Sequence, residues 1–73
     1  MQVKVYNKIE EKVNEYQNRT GATKSWLAKQ MGMTPQRMYQ LMKSENMMLD
    51  VVVKFAIVLN CNIDQLVEYE RVD

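Results

Sequence analysis

Between residues 34 and 43 the polar side chains are suited to hydrogen bonding rather than to catalysis. Gln36 and Gln40 carry amides, and Arg37 carries a guanidinium. A glutamine can form two hydrogen bonds with the edge of an adenine, and an arginine can do the same with a guanine. Threonine, tyrosine and lysine suit phosphate groups. The same stretch contains Thr34, Tyr39 and Lys43.

The sequence contains no recognisable catalytic constellation. It has no histidine, no phosphate-cradling glycine loop and only one cysteine, Cys61. Neither a disulfide nor a Cys/His zinc site can therefore form within the chain. We expect no enzymatic activity, no cofactor and no metal. Cys61 is interpreted as a small, at least half-buried hydrophobe rather than a redox sensor, because no base or second cysteine adjoins it.

Charge is distributed unevenly along the chain. Residues 1–43 contain eight Lys or Arg and three Glu, for a net +5, whereas residues 44–73 contain two and six, for a net −4. Residues 16–44 contain no acidic residue at all. Because solvated helices usually mix Glu with Lys four residues apart, an acid-free helix is unusual. One half of the molecule can attract an anion although the whole carries only +1.

The length of 73 residues allows one domain, residues 1–73, with a small core. With no disulfide, dimerisation is the remaining source of added stability. No apolar run approaches the ~20 residues of a membrane-spanning helix, and no signal peptide is recognisable. We therefore expect a cytoplasmic location and no membrane partner.

The apolar residues recur with helical spacing throughout the chain. Five helices are predicted, at residues 3–19, 24–31, 35–43, 48 or 49–59, and from 62 onward. Thr23 and Thr34 are predicted N-caps, and Pro35 suits a first helical position. Asn62 with Gln65 resembles a capping box for the fifth helix. The predicted fold class is a compact, all-α domain of five helices.

A connection of only three residues, 32–34, forces the second and third helices into a tight corner. Such a corner can be purely structural, or it can hold the third helix against DNA. Ala28 is small where the helices cross, and Met38 and Leu41 fix the third helix from inside. The acid-free outer face of the third helix favours the second interpretation.

The corner resembles the helix-turn-helix of the lambda-repressor-like (Cro/cI-type) regulators. The residues that carry the resemblance are Leu27, Ala28, Gly32, Thr34, Met38 and Leu41. The later stretch IVLNCNIDQLV is similar to the family's fourth and fifth helices. The resemblance covers about residues 5–68, nearly the whole chain.

This resemblance implies a transcriptional regulator, such as a repressor of a bacterial, phage or mobile-element operon, that binds double-stranded operator DNA as a homodimer. The third helix, within a helix-turn-helix at about 24–43, would enter the major groove. The implied base-reading residues are Gln36, Arg37 and Gln40. The implied backbone contacts are Thr23, Lys24, Ser25, Thr34, Tyr39 and Lys43. The same fold also serves as an antitoxin or adaptor that mainly binds a partner protein, and this alternative stays open.

The sequence departs from the family pattern at three positions. Pro35 occupies a position where the family often has a polar base-reading side chain, so readout would shift to Gln36 and Arg37. Met42 stands where the family often has a Glu, which implies apolar packing in place of an ion pair with the first helix. Asn60 replaces the usual Gly after the fourth helix, and Asn is the next best residue for a left-handed turn.

Two further features have more than one interpretation. Trp26 is expected to pack against the first helix, with a contact to the DNA backbone or to a partner as the alternative. The candidates for a dimer surface are Phe55, Ile57 and Val58 of the fourth helix, Met47 and Met48, and the fifth helix with Tyr69.

Overall fold

The computed structural model describes residues 1–73 as four α-helices and a two-stranded sheet. In chain order the elements are β1 Val3–Asn7, α1 Ile9–Thr20, α2 Lys24–Gln30, α3 Pro35–Met42, α4 Leu49–Leu59, a single 3₁₀ turn at Ile63–Gln65, and β2 Val67–Arg71. Helix α1 packs on α4, and α2 packs on α3. The mainly helical fold and the four central helices agree with the prediction, whereas the prediction of an all-α, five-helix domain is wrong.

The start of the chain is a strand rather than the first turns of a helix. β1 pairs antiparallel with β2, so that Val5 lies opposite Tyr69. Val3 and Val5 lie on one face of this strand and Lys4 and Tyr6 on the other, and valine and tyrosine are both favoured in strands. The prediction of a helix over residues 3–19 combined Val5 with the true helical positions Ile9 and Val13, and only the part from Ile9 onward is correct.

The predicted fifth helix is reduced to one 3₁₀ turn. Its capping box is present, and the backbone N–H of Asn62 donates to Oε1 of Gln65 at 2.9 Å. After the fully buried Leu66, the chain alternates again over Val67–Arg71 and joins β1. Pairing with β1 satisfies backbone groups that a frayed terminal helix would leave to water, so the two short strands form a ribbon together.

One apolar core holds the four helices together. All 13 buried residues are hydrophobic, and no polar or charged residue is buried. Helix α4 contributes Val52, Phe55, Ala56 and Leu59 to this core. Phe55 is fully buried, so its assignment to a dimer surface is wrong. Asn60 ends α4 with a φ of 53°, in the left-handed conformation that the sequence predicted.

Val13 and Val3 provide a matched test of where the core lies. The side chain of Val13 is 0% exposed and that of Val3 is 57% exposed. We expect Val13→Ala to lower the free energy of unfolding by about 2 kcal/mol, because it removes buried methyl groups and leaves a cavity.

The control substitution, Val3→Ala, should change the free energy of unfolding by less than about 0.5 kcal/mol. Urea denaturation followed by circular dichroism measures both values. An equal loss in the two variants would contradict the position of α1 against the core.

Candidate nucleic-acid interface

Helix α2 and the corner after it are fixed by local hydrogen bonds. The Thr23 hydroxyl accepts from the backbone N–H of Trp26 at 3.0 Å, which confirms Thr23 as the N-cap. Gly32 has a φ of 74°, a left-handed conformation that glycine adopts without steric cost. The backbone N–H of Met33 then donates to the Ala28 carbonyl at 3.0 Å. The chain therefore turns within the four residues 31–34, one more than the predicted three.

Helix α3 has a similarly defined start and a buried inner face. The Thr34 hydroxyl accepts from the backbone N–H of Arg37 at 3.1 Å, and Pro35 occupies the first helical position. The inner face consists of Met38, Leu41 and Met42, and all three are buried. Because these side chains pack into the core, the rotation of α3 about its own axis is fixed, and so is the face that it presents outward.

The outward face of α3 contains the three residues predicted to read bases. Gln36, Arg37 and Gln40 are exposed, and no ion pair or side-chain hydrogen bond within the chain engages them. Residues four apart lie on one face of a helix, about 6 Å apart along its axis. Gln36 and Gln40 can therefore contact two groups of one ligand that lie about 6 Å apart along α3.

The residues predicted to contact phosphates are also exposed, in two groups. Thr23, Lys24 and Ser25 surround the first residue of α2, whereas Thr34, Tyr39 and Lys43 lie along α3 and at its end. Each threonine hydroxyl uses an oxygen lone pair for its cap, and its hydrogen remains available to donate. Since α2 packs on α3, the two groups belong to one composite surface.

Lys43 differs from the other basic residues of this surface because it has a carboxylate partner. Its Nζ lies 2.8 Å from Oε2 of Glu10 in α1 and 5.0 Å from the centre of the Tyr39 ring. The hydrogen bond to Glu10, the charge of Glu10 and the nearby Tyr39 together raise the pKa of Lys43. No local pattern in the sequence indicates this contact, because its two residues lie 33 positions apart.

The ion pairs leave an uneven set of free cations. Four lysines and arginines lie within 4 Å of a side-chain carboxylate, in the pairs Lys8–Glu68, Lys12–Glu15, Lys43–Glu10 and Arg71–Asp73. The other six have no such partner, and these are Lys4, Arg19, Lys24, Lys29, Arg37 and Lys54. Four of the six lie in the acid-free part of the chain, around the corner. Three of them, Lys24, Lys29 and Arg37, belong to α2 and α3, and Arg19 lies near the end of α1, so most of the uncompensated positive charge lies on the helix pair or next to it.

Asn7 positions the end of α3, although no local pattern in the sequence marks it for this role. Its Nδ2 donates to the carbonyls of Met42, at 3.2 Å, and Ser44, at 2.9 Å. Its Oδ1 accepts from the backbone N–H of Ile9 at 2.9 Å. The last carbonyls of a helix have no partner within the helix, so this amide supplies one. The outward face of α3 is thereby tied to β1 and α1.

Trp26 and Cys61 are the two remaining residues for which the sequence suggested a role. Trp26 is 46% exposed and lines a surface pocket with Tyr16 and Thr20, at the end of α1. Cys61 is partly buried, and burial raises the pKa of its thiol. A raised pKa disfavours the reactive thiolate.

No group of three or more His, Cys, Asp or Glu side chains is arranged to hold a metal ion. None of the helices combines the length and hydrophobicity that crossing a membrane requires.

The two capped helices, the four-residue turn and the buried inner face of α3 define a helix-turn-helix protein. A sequence profile of the Cro/C1-type HTH DNA-binding domain matches residues 12–71. The chain belongs to this family, and the resemblance seen in the sequence is confirmed. The matched region includes the two helices of the corner, α2 and α3, as well as helix α4 and strand β2. Comparisons with curated proteins and with solved structures found no match.

The hydroxyl of Thr34 gives a test of how the start of α3 is held. We expect Thr34→Ala to lower the free energy of unfolding by about 1 kcal/mol, because the N–H of Arg37 loses its capping oxygen. Urea denaturation measures the change. Thr34→Ser keeps the oxygen and should stay within about 0.5 kcal/mol of the unchanged chain. Equal losses in the two variants would show that the methyl group, not the cap, is what matters.

Proposed function

We propose that this chain is a sequence-specific regulator that binds double-stranded operator DNA as a homodimer and acts as a repressor. Helix α3 would lie in the major groove, with Gln36, Arg37 and Gln40 directed at base edges. The family membership supports DNA binding in general. We propose in addition that the binding is sequence-specific, that the chain acts as a repressor and that it binds DNA as a dimer.

The observation that carries the proposal is the contrast between the two faces of α3. The inner face is buried, and the outer face presents two amides and a guanidinium that have no partner in the chain. An outer face that served only for solubility would more commonly mix acidic and basic residues. Free amide and guanidinium groups on a rigid helix match the donors and acceptors of the major groove.

Phosphate contacts would fix the position of α3 on the duplex. The exposed start of α2, with Thr23, Lys24 and Ser25, would lie on one backbone strand, and Thr34, Tyr39 and Lys43 would add contacts near α3. Lys43 would have to exchange Glu10 for a phosphate, since both groups are anionic acceptors of its ammonium. Glu10 would then lower the affinity for specific and non-specific duplexes alike, because it competes with every phosphate equally.

The free cations would supply the part of the affinity that is independent of sequence. Lys24 and Arg37 lie within the helix pair, and Arg19 and Lys29 lie at the ends of α1 and α2. Neutralising phosphates with such groups releases counterions and makes binding sensitive to salt.

Selection of bound sequences from random duplexes tests the specificity of the site. The unchanged chain should enrich a symmetric sequence with two half-sites about 10 base pairs apart. Gln36→Ala should relax the preference at one base pair of each half-site, at a cost of ~1–3 kcal/mol on the preferred sequence. The same reasoning applies to Gln40→Ala at a different base pair.

Gln2→Ala is the matched control, because Gln2 is exposed and lies before β1, away from α3. It should leave the enriched sequence unchanged. An equal loss of affinity for all duplexes in Gln36→Ala would exclude Gln36 as a base-reading residue. If no sequence is enriched and the chain instead forms a stable complex with a co-encoded protein, the antitoxin or adaptor role would replace this proposal.

Substitutions of Lys24 and Lys4 distinguish a local phosphate contact from an effect of the net charge of the molecule. Both are exposed lysines without a carboxylate partner, but Lys24 opens α2 whereas Lys4 lies in β1. We expect Lys24→Ala to weaken binding to all sequences and to lower the slope of log K against log salt concentration by about one.

Lys4→Ala should leave that slope within experimental error of the unchanged chain. Fluorescence anisotropy titrations at several salt concentrations measure both slopes. If both variants lower the slope equally, the effect would arise from the net charge of the molecule, and the placement of a phosphate at the start of α2 would be abandoned.

A further inference from the structure

Helix α4 has a second apolar face that the core does not cover. Leu49, Val53 and Ile57 follow each other at intervals of four residues, so they form one strip along the helix. They are 84%, 40% and 72% exposed, respectively. Other residues of α4 pack into the core, so these three side chains contribute little to the stability of the monomer.

The strip continues into an apolar cleft. This cleft has a volume of about 260 Å³, and its walls come from β1, the loop before α4, α4 itself and the 3₁₀ turn. Val5, Met47, Leu49 and Ile63 are among the residues that line it. Leu49 belongs both to the strip and to the wall of the cleft. Strip and cleft therefore form one surface, here named the α4 surface, consisting of Val5, Met47, Leu49, Val53, Ile57 and Ile63.

We propose that the α4 surface is the homodimer interface and that its occupant is the same surface of a second copy. The two α4 helices would run antiparallel across a two-fold axis near Val53. This proposal extends the proposed function by identifying the residues of the dimer contact. It rests on that function, because two copies are needed only if the DNA site is symmetric.

The shape of the α4 surface suits contact with itself. A two-fold interface presents the same patch on both sides, so the patch must contain protrusions as well as a recess to receive them. Here the largely exposed Leu49 and Ile57 are protrusions, and the cleft is a recess. The exposed apolar area is on the order of 500 Å², which is within the ~300–600 Å² of the largest patch on many monomers and below the ~800 Å² per partner of a standard interface, so the dimer that it supports is a weak one.

The charges beside the strip are complementary in the same arrangement. Asp50 and Lys54 follow Leu49 and Val53 in the sequence, so both lie along one flank of the strip. Both are exposed, and neither forms an ion pair within the chain. When two α4 helices run antiparallel about Val53, Asp50 of each copy comes alongside Lys54 of the other. In a parallel two-fold pair the two flanks would lie on opposite sides of the contact, so Asp50 and Lys54 of the two copies would not meet.

The α4 surface also leaves the proposed DNA-binding residues free. None of its six members belongs to α2 or α3. The residues that line the cleft include none of the nine predicted DNA contacts. A dimer formed here can therefore present two copies of α3 at once.

Sedimentation equilibrium of the full chain without DNA tests the interface. The unchanged chain, of 8.7 kDa per copy, should show a dimer mass at micromolar to submillimolar concentration. Leu49→Glu and Ile57→Glu should each weaken association at least tenfold, because each places a charge in the apolar contact twice. Trp26→Glu, which changes an exposed apolar residue outside the α4 surface, should leave the dimer intact.

A charge exchange tests the antiparallel arrangement and does not depend on the glutamate variants. Asp50→Lys should weaken association severalfold, since it places lysine beside lysine at two symmetric positions. The double variant Asp50→Lys with Lys54→Asp should restore it. Circular dichroism should show the same helical content in all variants.

Three results would overturn the proposal. These are a monomer mass for the unchanged chain, a dimer that persists in both Leu49→Glu and Ile57→Glu, and a double charge variant no tighter than Asp50→Lys alone. Because no DNA is present, these results are independent of the proposed function. A chain that is monomeric without DNA but still selects a DNA sequence would reject the interface and leave sequence-specific DNA binding in place, whereas a dimer that binds no DNA would reject DNA binding and leave the interface in place.

Discussion

Three hydrogen bonds of one side chain, Asn7, hold the end of α3 against the end of β1 and the start of α1. Its amide joins the end of β1, the first turn of α1 and the last carbonyls of α3. The core fixes the distance between the helices, but hydrophobic contact has no direction and tolerates small rotations. Directional bonds at the end of α3 restrict how that helix can tilt. The angle of the outward face thus depends on a residue outside the helix-turn-helix.

The central part of the fold could be predicted because its signals are local. Thr23, Thr34 and Asn60 each act on groups within three or four residues, and the structure confirms all three. The buried face of α3 follows from Met38 and Leu41, which recur at helical spacing. Exposure of the candidate site follows from the same spacing, since residues that do not face the core must face outward.

The ribbon and the ion pair of Lys43 could not be predicted in this way. Each strand is only five residues long, and its alternating pattern becomes decisive only with its partner, which lies near the other end of the chain. Glu10 and Lys43 meet because α1 and α3 are brought together by the fold. Phe55 and Ile57 are both apolar residues of α4, and only the packed structure shows that one is 0% and the other 72% exposed.

The ribbon has a consequence for the order in which the domain assembles and opens. Residues 8–66 separate its two strands, so pairing them requires closing nearly the whole chain, whereas α2 and α3 meet through a four-residue turn. Contacts of long sequence separation carry the larger entropic cost and form late. Local opening should start at the ribbon, and it should release Asn7 from the carbonyls of α3. Amide exchange at the ends of the chain and at the end of α3 is therefore expected to be coupled.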